Sequence, residues 1–254
     1  MFAARPALLA CVLLAGALQA GEPRVEVNVN TTLTEEGRKL APPTPAKPLY
    51  YFPLVAGWRE EGALVHGEKP PPTLLVIHEL ARVLAAQGYV VVGPKTPSPT
   101  VLLVFHWGYM NPQIDDLNGD PANPQKVFFN QREMVGLVGG STLSNLDLNS
   151  EREAVMQGAE DDRYFVIVVA YDFADAQKKK KTRLWVARMS TPSTGLTMAD
   201  VVPALIKSGG PFFGRETLRP AWVDTPIVRA GKVEIGPATV VPDAPAKKSE
   251  PPKK

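Results

Sequence analysis

Thiols are almost absent from this chain: Cys11 is the single cysteine among 254 residues, and it lies within the first twenty. If that segment is removed, what remains has no disulfide, no thiol nucleophile and no thiolate metal site. Charge of one sign is lacking as well. With 28 basic and 26 acidic side chains dispersed along the chain, no clustered basic face emerges, and nucleic acid is not expected as a partner. Long apolar runs are missing too. No stretch reaches the ~20 residues that a helical membrane span requires, so no transmembrane segment is expected in the mature chain. No internal repeat is visible at solenoid spacings.

Proline is abundant instead, at 26 residues. The excess gathers before Tyr50, between Pro70 and Pro99 and after Pro220, so the folded part is expected to be much shorter than the chain.

The first residues combine one positive charge at Arg5, an apolar run from Ala7 to Ala20 broken only by Gly16 and Gln19, and small residues at its end. These are the parts of a secretory signal peptide, with cleavage expected after Ala17 or Ala20. Leu8-Leu9-Ala10-Cys11 also matches a lipoprotein processing box, which gives the alternative of a lipid anchor on Cys11. The apolar stretch before Cys11 is short, however, and cleavage there leaves Val12 to Ala17 as a greasy extension. Ordinary cleavage is the better reading.

Residues 21–47 read as a Pro-rich linker in which Val25, Val27 and Val29 alternate as an edge strand. Leu49 to Trp58 reads as a first strand that Pro53 confines to an edge or a bulge. Leu74 to Gln87 carries Val76, Ile77, Leu80, Val83 and Leu84 on one helical face and ends at Gly88. Tyr89 to Val92 and the apolar run Val101 to Trp107 follow as strands, the second without polar alternation and therefore covered on both faces. Residues 108–149 are ambiguous, with helix and strand both open for Phe128 to Val138. Ser150 to Glu153 forms a capping box for a short helix. Tyr164 to Tyr171 and Arg183 to Met189 read as an antiparallel pair joined by a turn over Asp172 to Lys181. Thr197 and Asp200 open a last helix that Pro203 interrupts. The expected fold is therefore α+β, a single mixed, largely antiparallel sheet with two to four packed helices. It spans 48–215, after a signal peptide over 1–20 and before an extended tail over 216–254 that is disordered at its end.

Leu84-Ala-Ala-Gln-Gly-Tyr89, Thr100-Val-Leu-Leu-Val-Phe-His106, and Tyr164 to Asp172 with Arg183 to Arg188 resemble a group of uncharacterised exported bacterial envelope proteins. The resemblance covers Leu74 to Thr191, and Thr100 stands where that group commonly has an acidic residue. It implies an envelope location and an α+β core, and it transfers no functional residue.

The chemistry-bearing residues assemble into no familiar catalytic set. His78-Glu79 starts like a zinc-protease helix, but Arg82 occupies the second ligand position. His66 lies in a turn without a partner. Asp115 to Asp120 does not complete a calcium loop, because Ile114 and Gln125 fall at its first and last ligand positions. Gly139-Gly140-Ser141 extends into no nucleophile elbow. Asp161-Asp162 sits between a helix end and a strand, where acidic turn residues are ordinary. No metal site, cofactor or catalytic residue is expected.

His106 and Trp107 close the central strand, and with Asp172 and Arg188 they are the candidate ligand-binding residues. Lys178 to Lys181 form the densest charge run, placed at a hairpin tip where lysines also discourage edge pairing. The primary reading is a non-catalytic periplasmic or envelope module that binds another envelope component through a strand edge or the loop at Tyr109. The rivals are a small-ligand binder or hydrolase near His106, and a basic tip that contacts anionic polymer or lipid.

Overall fold

The computed structural model describes residues 22–62, 69–116, 126–146 and 149–227. The expected leader with Cys11, His66, most of the loop before Gln125 and the tail from 228 onward lie outside the described residues.

Strand β1 (Arg24–Leu33) leads into a single turn, α1 (Glu35–Arg38), whose N-terminal Thr34 hydroxyl accepts from the Gly37 N–H. β2 (Leu49–Glu61), α2 (Thr73–Ala86), β3 (Tyr89–Val91) and β4 (Val101–Met110) follow. Next come a small hairpin of β5 (Ile114–Asp116) and β6 (Lys126–Phe128), then α3 (Gln131–Leu137), a 3-10 turn (Gly140–Asn145) and α4 (Asn149–Gly158). β7 (Arg163–Asp172), α5 (Phe173–Gln177), β8 (Arg183–Pro192), α6 (Met198–Gly209) and β9 (Ala221–Pro226) complete the described chain.

Seven strands form one sheet in the order β3-β2-β4-β7-β8-β1-β9. The α+β class holds, but the sheet is mixed rather than largely antiparallel. The reason is that β2 runs parallel to both β3 and β4, the α2 crossover having returned the chain in the same direction. The helices also exceed the expected two to four, because short segments over 35–38, 131–145 and 173–177, read as linker, as ambiguous and as a turn, are helical.

Two boundaries move. Residues 24–33, expected to belong to a linker, form an inner strand bonded to β8 on one side and β9 on the other. The tail expected from 216 likewise contributes β9 before it leaves the described region. Pro53 obeys the steric expectation. β3 pairs only with Leu49 to Tyr51 of β2, so at Pro53 the missing N–H faces the side of β2 that has no partner strand, just before a bulge between Val55 and Gly57.

One sheet face is fully covered. Leu103, Phe105, Trp107, Val166, Val168 and Trp185 pack there against Val76, Leu80, Val83 and Leu84 of α2 and Val201, Val202, Leu205 and Ile206 of α6. Each such fully buried aliphatic side chain contributes roughly 1.5–3 kcal/mol. α6 begins in the expected capping box, with Thr197 and Asp200 exchanging side-chain and backbone bonds, and continues through Pro203. Among the described residues, the opposite face is covered mainly at one end, where Met134, Leu137, Val138, Leu146 and Val155 close over Met110 and Phe165. Among the described residues the other end of that face carries only the short α5.

Candidate functional site

Strand alternation sends His106 and Trp107 to opposite sides of β4. Trp107 lies in the core under α2 and α6, with only 1% of its surface exposed. His106 faces the half-covered side. In register, His106 pairs with Ile167 of β7, and Ile167 with Arg188 of β8, so His106 and Arg188 share one row two strands apart, ~10 Å between Cα atoms. Asp172 ends β7 at the far end of the sheet, five residues from Ile167 or ~17 Å along the strand. Its carboxylate caps α5 by accepting from the Asp175 N–H at 2.8 Å. Of the four sequence candidates, the fold therefore brings together His106 and Arg188, while Trp107 and Asp172 stand apart from them. Tyr109, placed in a loop from the sequence, is a buried residue of β4 packed on Trp58.

The row carries positive charge. His106 sits edge-on to Phe165 at 6.3 Å, and its Nδ1 is buried with no hydrogen-bond partner. Burial, then Arg59, then Arg188 disfavour its protonated form and hold its pKa at about 4. Burial and the neighbouring Arg183 likewise work against the charged form of Arg188. Arg188 donates from Nη1 to Thr32 Oγ1 at 3.4 Å, and among the described residues no carboxylate lies in ion-pair range of it. A His106 without an acidic neighbour lacks the second group of an acid–base pair. Among the described residues no group of three or more His, Cys, Asp or Glu side chains is placed to hold a metal ion.

Beyond Arg188 the row enters a buried polar seam beneath α3 and α4. Asn30 donates to the Leu137 carbonyl at 2.8 Å, tying β1 to the end of α3. Arg163, 1% exposed, donates from Nε to Ser190 Oγ at 3.1 Å and from Nη1 to the Gly158 carbonyl at 3.2 Å, with Asp161 at 3.7 Å. Burial lowers its pKa to about 10, against the pull of Asp161 and Glu26. A cavity of about 590 Å3 opens next to this seam, between α3 and the sheet, and Arg188, Ile167, Met110, Val135 and Gly136 line it, with Glu61, Arg132 and Glu133 also in its wall. Gly136 was not legible as a site residue, and its one signal was a lone glycine inside a stretch read as helix or strand.

At the uncovered end of the same face, Phe52 and Leu54 of β2 remain 45% and 48% exposed. Leu102, Val104 and Tyr171 continue the apolar surface, and Phe52 meets Phe173 of α5 at 5.9 Å between ring centroids. Lys179, Lys180 and Lys181 border it, together enclosing a groove of about 370 Å3 with Leu54, Val104 and Tyr171. Lys180 is paired with Asp175 at 2.9 Å. Lys178, Lys179 and Lys181 are exposed and in no ion pair among the described residues. The backbone explains the tip. The Lys180 N–H donates to Asp175 O and the Lys179 N–H to Ala176 O, which ends α5 with Lys179 at φ 62°. A larger cleft of about 760 Å3 lies behind the tip, lined by Asp172, Asp175, Thr182 and Glu36. Of its acids, Asp172 caps α5 and Asp175 contacts Lys180 and Thr182.

No family model matches the chain, and no curated protein matches it. Among solved structures, a PelC dodecamer from Paraburkholderia phytofirmans is similar at a TM-score of 0.35 and 12% identity, covering 75% of this chain and 97% of that one. No helix among the described residues is long and apolar enough to cross a membrane.

Proposed function

We propose that this chain is exported to the bacterial cell envelope and acts there as a non-catalytic binding module, docking on an anionic lipid surface through the open end of its sheet. The observation that carries the reading is the exposure of Phe52 and Leu54 directly beside the lysine tip. Sheet faces of this kind are normally covered, and an apolar patch rimmed by charge marks an interaction surface. A bilayer interface satisfies both halves of the patch at once, with phosphates for the lysines and the acyl boundary for Phe52 and Leu54. A soluble anionic polymer engages only the lysines and leaves the apolar shelf in water.

The magnitudes fit reversible attachment. A lysine near an anionic surface contributes about 1 kcal/mol, and the two apolar side chains add a comparable amount on partial burial. Screening within ~8 Å at physiological salt makes the electrostatic part salt-sensitive. The signal-like first twenty residues support export, and the isolation of His106 from any carboxylate favours binding over hydrolysis.

The test is sedimentation of the processed chain with phosphatidylglycerol-containing vesicles, phosphatidylcholine vesicles and immobilised heparin. Binding to the anionic vesicles alone, weakened both by joint K178Q, K179Q and K181Q replacement and by Leu54→Ser, is the expected pattern. Retention on heparin with no vesicle binding, or indifference to Leu54→Ser, overturns it. Cell fractionation with intact-mass measurement tests export separately: the expected product starts after Ala17 or Ala20 and lies in the envelope fraction.

A further inference from the structure

The cavity under α3 combines three features that no packing role explains. Its floor holds Arg188, a half-buried guanidinium that donates a long bond of 3.4 Å to Thr32, has no carboxylate in ion-pair range among the described residues, and is opposed in its charged form by Arg183. A buried charge is ordinarily matched by an opposite one, because desolvation alone is costly. Ile167, Met110 and Val135 give the lining an apolar part, with Glu61, Arg132, Glu133 and Ser141 also in the wall. The third feature is Gly136. It sits inside α3, where glycine weakens a helix relative to any ordinary residue, yet a Cβ added there would meet nothing within 4 Å. The backbone does not need a glycine at this position, and the neighbours do not forbid a side chain. What a side chain would remove is space in the cavity.

We infer that this cavity binds a small monocarboxylate with an apolar body, its carboxylate held by Arg188 and its body lying over Ile167, Met110 and Val135. A guanidinium fork matches a carboxylate in two parallel hydrogen bonds, which a neutral ligand cannot use. In the cavity wall Glu61 and Glu133 outnumber Arg132, so the wall offers no net positive charge to a second negative one and a dianion such as phosphate is a poorer fit. His106, across Ile167 from Arg188, stays neutral above its depressed pKa and leaves Arg188 as the cation of the row. The site is independent of the lipid-docking surface, which lies at the other end of the sheet.

Hexanoate is the probe, titrated calorimetrically into the processed full-length chain without vesicles, with hexanol and inorganic phosphate as the comparison ligands. A dissociation constant on the order of 1 mM is expected for a ligand of this size. Binding should weaken by about tenfold or more in Arg188→Gln and return in part in Arg188→Lys. Gly136→Leu should abolish binding while keeping or raising the melting temperature, which separates a filled cavity from a broken fold. Lys179→Gln should leave hexanoate binding unchanged. Hexanol or phosphate binding as tightly as hexanoate, undiminished hexanoate binding in Gly136→Leu or Arg188→Gln, or no saturable hexanoate binding at all would each overturn the assignment.

Discussion

His106 and Arg188 face the same side of the sheet in one register row, and Ile167 is the residue between them on the intervening strand. Two nitrogen bases thus border one partly covered surface with an aliphatic spacer and no acid in the row. That arrangement is suited to receiving negative charge rather than to moving protons, and it sets how stability responds to pH.

The pKa of His106 is held at about 4 by burial and by Arg59 and Arg188, against an ordinary ~6.5 in an unfolded chain. Above pH ~6.5 the imidazole is neutral in both states and stability is complete. Between pH ~6.5 and ~4 the unfolded chain takes up a proton that the folded chain refuses, so stability falls as pH falls, by at most about 3 kcal/mol. Urea denaturation at pH 7.5 and ~4.5 should show this loss in the wild type and a smaller one in His106→Phe. An equal loss in both proteins removes His106 as the cause.

Lys179 has a positive φ of 62°, the one such value at a non-glycine position among the described residues. Its side chain borders the apolar groove, so the strained backbone holds an ammonium at the edge of the shelf. Lys179→Gly should relieve the left-handed conformation and raise stability by about 1 kcal/mol. Vesicle affinity should fall only modestly, because the other lysines of the tip remain. Thermal denaturation and sedimentation measured on the same variant check both halves.

Ser190→Ala should cost roughly 1–3 kcal/mol, because it removes the acceptor of the Arg163 Nε bond and leaves a buried guanidinium donor unmatched. Ser190→Thr, which keeps the hydroxyl, should recover part of the loss. Chemical denaturation of the two variants side by side distinguishes a lost hydrogen bond from a packing defect.

Gly108→Ala should be among the most damaging single changes. Gly108 faces Arg59 across the β2–β4 pair, and an added Cβ would overlap the Arg59 carbonyl. The backbone cannot yield cheaply at an inner strand, so a loss of more than about 3 kcal/mol or failure to fold is expected. Expression and circular dichroism of the variant report it.

The elements legible in the sequence were those whose apolar pattern matches their burial. α2, β4, β7, β8 and the Thr197–Asp200 cap lie where periodicity and capping place them. β1 was undervalued because Asn28 and Asn30 alternate with its valines, as on a solvated edge. Both are in fact fully buried, since α3 and α4 cover that face and the Leu137 carbonyl accepts from Asn30. No local pattern announces a polar residue whose partner is 107 positions away. The site divided in the same way. His106 and Arg188 stood out by residue type, and strand register brought them together. Trp107 could not join them because its neighbour on the strand already faced the other side. The apolar shelf was invisible, because the strand reading of Leu49 to Trp58 does not say which of its faces the fold covers, and Phe52 and Leu54 stay exposed.

The claim that the open sheet end is the docking surface is tested most directly by a fluorophore placed on it. The processed chain is expected to carry no cysteine, so Leu54→Cys labelled with bimane reports that face alone, and Leu74→Cys on the exposed start of α2 reports the other side. On phosphatidylglycerol vesicles the label at 54 should shift to the blue while the label at 74 stays unchanged. A shift at 74 without one at 54, or none at either, would contradict the assignment.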